Sequence, residues 1–194
     1  MRILAVADEI HPALYDHLDL SRFPDIDLLI SCGDLRDDYL DFLASHFNVP
    51  AFYVRGNHDP GANPAGWTNL DGQVISYRGL KLAGLEGCRL YTNKAVVQYT
   101  ERQMWWKVGK VVPKIWLKGG IDILVTHAPP KGYHEGLDLA HQGLDSFRWL
   151  MEKYRPRFFV HGHQHLNYAA FQERVTQVGQ TTLINAFRYH ILEV

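Results

Sequence analysis

The stretch Ala51-Phe52-Tyr53-Val54-Arg55-Gly56-Asn57-His58-Asp59 sets an apolar run directly against an amide, an imidazole and a carboxylate. A short apolar run bounded by turn residues reads as a buried strand. Polar groups delivered at the end of such a strand lie at the edge of a sheet, where open α/β folds place their chemistry. The same arrangement recurs on both sides. Upstream, Asp8 follows Ile3 to Ala7 and Gly33-Asp34 follows Leu28 to Ile30. Downstream, Thr126-His127 follows Ile121 to Val125, and His161-Gly162-His163-Gln164-His165 follows Phe158 to Val160.

The segments between these runs predict the rest of the chain. Arg2 to Ala7 is a strand, and Pro12 suits the first position of a helix over about 12–20. Asp27 to Ser31 is a second strand, Asp37 to Phe47 a helix and Ala51 to Val54 a third strand. This alternation predicts a parallel sheet with right-handed crossovers. Residues 57–72, rich in Gly, Pro and Asn, read as a long surface loop. Gln73 to Tyr77 and Leu80 to Leu85 are two strands joined at Arg78-Gly79. A helical stretch opens near Thr100, and Gly109 and Pro113 argue against one unbroken helix to Lys118. Within it Lys107, Lys110, Lys114 and Lys118 recur at helical spacing among Trp105, Trp106 and Trp116, which predicts a solvated lysine face over a packed aromatic core. A further strand covers Ile121 to Val125, a helix Leu144 to Tyr154, and short β segments close the chain at Thr181 to Ile184 and Tyr189 to Glu193.

Composition narrows the function classes. The 194 residues fit a single domain, 1–194, and 46% hydrophobic with 21% charged residues is ordinary globular usage. A net charge of −1 gives no support for nucleic acid as a partner. Two cysteines cannot build a disulfide framework, and no apolar run reaches the roughly 20 residues of a membrane span. No leader precedes the first strand, so the expected location is a reducing cytoplasm, with no membrane partner. Neither a phosphate-cradling Gly-rich loop nor a Gly-x-Ser-x-Gly elbow is present. The oligomeric state is not written in the sequence.

Taken alone, an aspartate after a strand is a cap or turn former. Together the strand ends supply carboxylates, an amide oxygen and imidazoles with no thiolate beyond Cys32, which is a hard to borderline donor set suited to Mn²⁺, Fe or Zn²⁺. Seven or eight donors fit two ions about 3.5–4 Å apart better than one tetrahedral ion.

The ordered series Asp8, Gly33-Asp34, Gly56-Asn57-His58-Asp59, Thr126-His127 and Gly162-His163-Gln164-His165 resembles that of the calcineurin-like metallophosphoesterases. The resemblance implies a four-layer α/β/β/α sandwich, two mixed sheets flanked by helices, with the β-rich tail forming much of the second sheet. It implies a dinuclear centre in which Asp34 bridges two divalent ions, Asp8 and His165 hold one, and Asn57, His127 and His163 hold the other. Mn²⁺ or Fe leads, with Zn²⁺ or Ni²⁺ as alternatives. Hydrolysis of a small phosphomonoester or phosphodiester by a metal-activated hydroxide follows, with His58 protonating the leaving oxygen or stabilising its charge and Asp59 orienting the His58 ring. A nuclease of the same chemistry and a catalytically impaired protein-interaction scaffold, as in the related retromer subunit, are the alternatives.

One position departs from the pattern. The first motif of the family is Asp-x-His, whereas this chain reads Asp8-Glu9-Ile10-His11. Ile10 cannot ligate, so water fills the position, Glu9 or His11 bends in, or the ion at Asp8, Asp34 and His165 binds weakly. Among other residues, His141 in the loop after His127 is a candidate substrate contact beside Asp138, His161 reads as packed or supporting, and Arg188 as a surface arginine.

Overall fold

The computed structural model describes residues 1–59, 61–92, 96–166 and 173–194. In chain order the elements are β1 (Arg2–Ala7), β2 (Ile26–Ser31), α1 (Asp37–Phe47), β3 (Ala51–Tyr53), β4 (Trp67–Asn69), β5 (Val74–Tyr77), β6 (Leu80–Leu85), β7 (Cys88–Arg89), β8 (Gln98–Tyr99), α2 (Glu101–Leu117), β9 (Ile123–Thr126), α3 (Asp145–Tyr154), β10 (Phe158–His161), β11 (Val175–Val178), β12 (Thr181–Asn185) and β13 (Arg188–Glu193). The first sheet has the order β13-β1-β2-β3-β4, the second β11-β12-β10-β9-β6-β5, and β7 with β8 forms a small pair. Both large sheets are mixed. β13 runs antiparallel to β1, and β5 and β11 run antiparallel to β6 and β12, while the central strands are parallel.

Side-chain alternation along the strands builds the layers. From β1, Ile3, Ala5 and Ala7 pack with Leu28, Ile30, Ile123, Val125 and Val160 between the two sheets. Leu4 and Val6 face the other way, onto Tyr39, Leu40 and Leu43 of α1. On the far side, Ala83, Leu124, Phe159 and Leu183 of the second sheet meet Met104, Val108 and Val111 of α2 and Phe147 and Leu150 of α3. The result is the α/β/β/α sandwich that the resemblance implies. Its central strands end together, and the motif residues follow those ends.

Several local expectations give way. Residues 12–20 form no α-helix. Pro12–Leu14 makes one 3₁₀ turn capped by His11, and a second turn at Leu20–Arg22 is capped by Asp19. Only Ala13 and Leu14 of the first turn are buried, too little packing to offset helix nucleation. The 57–72 loop contains β4, whose Trp67 is buried and donates its indole N–H to the Leu40 carbonyl (2.9 Å). Helix α2 runs unbroken through Pro113. An interior proline costs about 3 kcal/mol, and burying Met104, Val108, Val111 and Ile115 at roughly 1.5–3 kcal/mol each outweighs it. The aromatic and lysine faces of α2 are also exchanged. Trp106 and Trp116 are 65% and 77% exposed, while Lys107 is drawn inward onto Asp71 and Glu86. The tail divides between the sheets, β11 and β12 joining the second and β13 the first.

Candidate metal centre

Three of the predicted ligands occupy left-handed backbone. Asp8, Asp34 and His163 have φ of 65°, 58° and 68°. Such conformations are uncommon outside glycine and cluster where function demands them. Here they turn each side chain back from its strand end toward one cleft. Glycines permit the crowding. A Cβ at Gly56 would lie 2.0 Å from Asp34 Oδ1 and 2.7 Å from His127 Cε1, and one at Gly162 would lie 2.9 Å from Asp8 Oδ2.

His127 is the focus. Its ring is fully buried, and its Nδ1 donates to the Cys32 carbonyl (2.7 Å), so Nε2 presents a lone pair. Around that Nε2 stand Asn57 Oδ1 at 3.0 Å, His163 Nδ1 at 3.1 Å and Asp34 Oδ2 at 3.4 Å. His163 donates its own Nε2–H to the Ala140 carbonyl (2.7 Å), which leaves Nδ1 as an acceptor. The Asn57 amide is fixed by its Nδ2 donating to the Tyr91 hydroxyl (3.1 Å), which aims Oδ1 inward. Four acceptor atoms therefore converge with no donor among them, an arrangement that only a cation or a shared proton relieves. Atoms each about 2.0–2.2 Å from one ion would be separated by roughly 3–3.5 Å, which is the spacing found.

The titration behaviour follows from this crowding. Burial pulls the His127 imidazole down, but the Asp34 and Asp8 carboxylates outweigh it and raise the group to about 9. Burial pushes the Asp34 carboxyl up, and His127 together with the His58 amide bond reverses this, holding it at about 2. Burial and the neighbouring His127 charge depress His163 to about 3. A proton thus occupies His127 where a divalent cation would displace it.

The other side of the cleft is looser. Asp8 accepts the His163 amide at Oδ1 (2.9 Å), while its buried Oδ2 has no hydrogen-bond partner among the described residues. Burial, reinforced by Asp34, raises this carboxyl to about 7 against the pull of His127. An orphaned buried carboxylate oxygen beside the acceptor cluster fits a second cation. His165 is exposed and rests on the Phe187 ring, centroids 4.9 Å apart. Among the described residues, the group of acidic and histidine side chains gathered tightly enough for one ion is Asp34, His127 and His163. The two neighbours of Ile10 each have a partner of their own, and the Glu9 charge also acts on His165. His11 accepts the Ala13 amide as a cap, and Glu9 takes a 2.8 Å ion pair from Arg188. Ile10 itself packs against the α1 core.

Asp8, Asp34, Asn57, His58, His163, His165 and His141 border one cleft of about 520 Å³, with His127 buried at its floor. The His58 side chain is 75% exposed, its Nε2 4.0 Å from Asp34 Oδ2. Asp59 does not orient that ring. Its Oδ2 accepts the backbone amides of Asp34 and Gly56, tying the β2 and β3 loops together. His141 donates Nδ1–H to Asp138 (2.8 Å) at the cleft wall. His161 is buried and shares a 2.9 Å hydrogen bond with His134, a support beneath Gly162-His163. Sequence reasoning missed Tyr91 and the charged network behind Asn57, in which Arg55 pairs with Glu86 (2.7 Å) and the Gly87 amide donates to the Arg55 carbonyl (2.8 Å). Tyr91 and Glu86 lie 34 and 31 residues from their partners Asn57 and Arg55, and no local pattern marks them.

The chain belongs to the calcineurin-like phosphoesterase family, whose model matches residues 1–167. Solved structures agree on the fold. TT1561 of Thermus thermophilus superposes with a TM-score of 0.67 at 18% identity, over 96% of this chain and 88% of that one. The phosphopantetheinyl hydrolase of Mycobacterium tuberculosis gives 0.55 at 16% identity, over 95% and 88%. A Vps29 single mutant from Entamoeba histolytica gives 0.50 at 14%, over 100% and 86%. No curated protein sequence matches significantly. Among the described residues no helix is long and apolar enough to cross a membrane.

Proposed function

We propose that the protein is a metal-dependent phosphoesterase that hydrolyses a small phosphomonoester or phosphodiester at a dinuclear centre. The observation that carries this is the convergence of Asp34 Oδ2, Asn57 Oδ1 and His163 Nδ1 on the lone pair of His127. Asn57, His127, His163 and Asp34 would hold one ion, and Asp8, Asp34 and His165 the other. Their oxygen and imidazole donors suit Mn²⁺ or Fe, with Zn²⁺ and Ni²⁺ within range. Divalent ions there supply Lewis-acid activation of water and neutralise charge developing on the phosphoryl oxygens.

The protein's own residues do the rest. Cys32 and Ala140 carbonyls lock the rings of His127 and His163, so the centre is oriented before substrate arrives. His58, exposed in the cleft, delivers a proton to the leaving oxygen. His141, held by Asp138, positions the substrate from the cleft wall. A structural neighbour named for phosphopantetheinyl hydrolysis is in keeping with this chemistry. A reducing cytoplasm is the proposed setting, in keeping with the unpaired buried thiols Cys32 and Cys88.

The test is elemental analysis of the purified protein, then turnover of an aryl phosphomonoester and an aryl phosphodiester across Mn²⁺, Ni²⁺, Zn²⁺ and Mg²⁺. Metal-dependent turnover that Asp34→Asn abolishes is expected. A folded protein inert with every metal would instead favour the scaffold role to which Ile10 points, and cleavage of single-stranded DNA in preference to both aryl esters would favour the nuclease.

A further inference from the structure

Arg188 opens β13 opposite Ala7, with φ at 63°, and so sits beside the metal cleft rather than on an ordinary surface. Its Nη2 donates to Glu9, the residue after Asp8. Its guanidinium lies 5.3 Å from the centre of the Phe187 ring on which His165 rests. The Nε is buried and has no hydrogen-bond partner among the described residues. The same arginine lines a second cleft of about 400 Å³ together with His11, Arg174, Tyr189, His190 and Ile191. Among the described residues, this wall presents two guanidinium groups and two imidazoles and no carboxylate. Arg174 is anchored there by Nη1 donating to the carbonyls of Asn185, Phe187 and Tyr189 (3.1, 2.9 and 3.1 Å), which fixes its charge in place.

Two guanidinium groups in one cleft whose described lining holds no carboxylate match an anionic group with acceptor oxygens. We infer that this cleft is an anion subsite, with Arg188 as its specificity-determining residue, and that it takes a phosphate or carboxylate of the substrate beyond the ester that is cleaved. The link to substrate rests on the phosphoesterase function proposed above; the anion binding does not. The substrate class is then a phosphoester with a second anionic group. The Glu9 carboxylate holds the guanidinium on the Asp8 side, and the 36% of the Arg188 side chain that stays exposed is what the incoming anion meets.

The experiment has a binding arm and a turnover arm. Metal-free protein is titrated calorimetrically with inorganic phosphate, using wild type, Arg188→Gln and Arg188→Lys. Binding weakened at least roughly tenfold in Arg188→Gln and less in Arg188→Lys, which keeps the charge without the fork, is expected. In the turnover arm, kcat/KM for a sugar bisphosphate relative to an aryl phosphate falls about tenfold in Arg188→Gln, through KM. Phosphate binding equal in all three proteins, or equal weakening of the two substrates, overturns the subsite. No turnover of either substrate, with phosphate binding still dependent on Arg188, upholds the anion site and overturns only the phosphoesterase function. Should Arg188→Gln fail to fold, Arg188→Lys decides between these outcomes alone.

Discussion

On the His127 side of the cleft each ring is fixed by a bond from its outer nitrogen, to Cys32 or to Ala140, and the Asn57 amide is fixed by Tyr91. On the Asp8 side, His165 lies exposed against a phenylalanine, and the position where the family places an imidazole is Ile10. Both sides use the ends of parallel strands and the same donor chemistry. They differ in burial, His127 being enclosed and His165 exposed, and in the donor that is missing at Ile10. On the function proposed above, a tight ion at His127 and a weaker one at Asp8 is the expectation.

The contrast can be broken most sharply at its shared member. Removing a carboxylate proposed to serve both ions, as in Asp34→Ala, is expected to forfeit several kcal/mol of transition-state stabilisation, about 10³-fold or more in kcat/KM. His127→Ala is expected to match it, and His165→Ala to cost less at saturating Mn²⁺. Equal losses for His127 and His165 under those conditions would erase the asymmetry. His58→Gln should lower kcat about 10²-fold without changing metal content, since its proposed role is to deliver a proton and not to ligate. Steady-state kinetics paired with elemental analysis separates the two behaviours.

Ile10→His sharpens the comparison from the other direction. Supplying the absent imidazole should lower the Mn²⁺ concentration for half-maximal activity by about tenfold, at a cost of about 1 kcal/mol in stability for the lost packing. An unchanged metal requirement in a folded Ile10→His protein would mean that the Asp8 side is limited by His165 instead.

The smallest effect concerns the brace beneath His163. Burial lowers His134 from its ordinary 6.5 to about 4. The unfolded chain takes up this proton first as the pH falls, so the stability is present above pH 6.5 and is lost as the pH drops toward 4. The loss is on the order of 2 kcal/mol. Thermal melts of the metal-free protein from about pH 7 to about pH 5 should fall more steeply for wild type than for His134→Gln. Parallel slopes would remove the brace from the account.

Much of this was legible in the sequence because it is local. The α1 boundaries follow from the periodic run between Asp37 and Phe47, and the β5–β6 hairpin from Arg78-Gly79, both of which take positive φ. The motif residues stand out because an apolar run followed by donors is a pattern along the chain. What was not legible depends on partners distant in sequence. Trp67 becomes a strand residue only because Leu40 and β3 wait for it. The fate of Pro113 is decided by the sheet beneath α2, and Lys107 is half-buried because Asp71 and Glu86 lie under it. Asp59 is adjacent to the ring it was expected to orient, yet two backbone amides in need of an acceptor claim it. Arg188 gains significance only once β13 pairs with β1.

The left-handed backbone at Asp8, Asp34 and His163 bears on how this protein would respond to selection for robustness alone. Glycine suits that conformation without steric cost, so Asp8→Gly relieves local strain and removes a buried carboxyl that burial raises to about 7. A library screened for melting temperature in the absence of metal would enrich that replacement, which would disable the cleft. At Asp8, durability and the proposed chemistry pull in opposite directions.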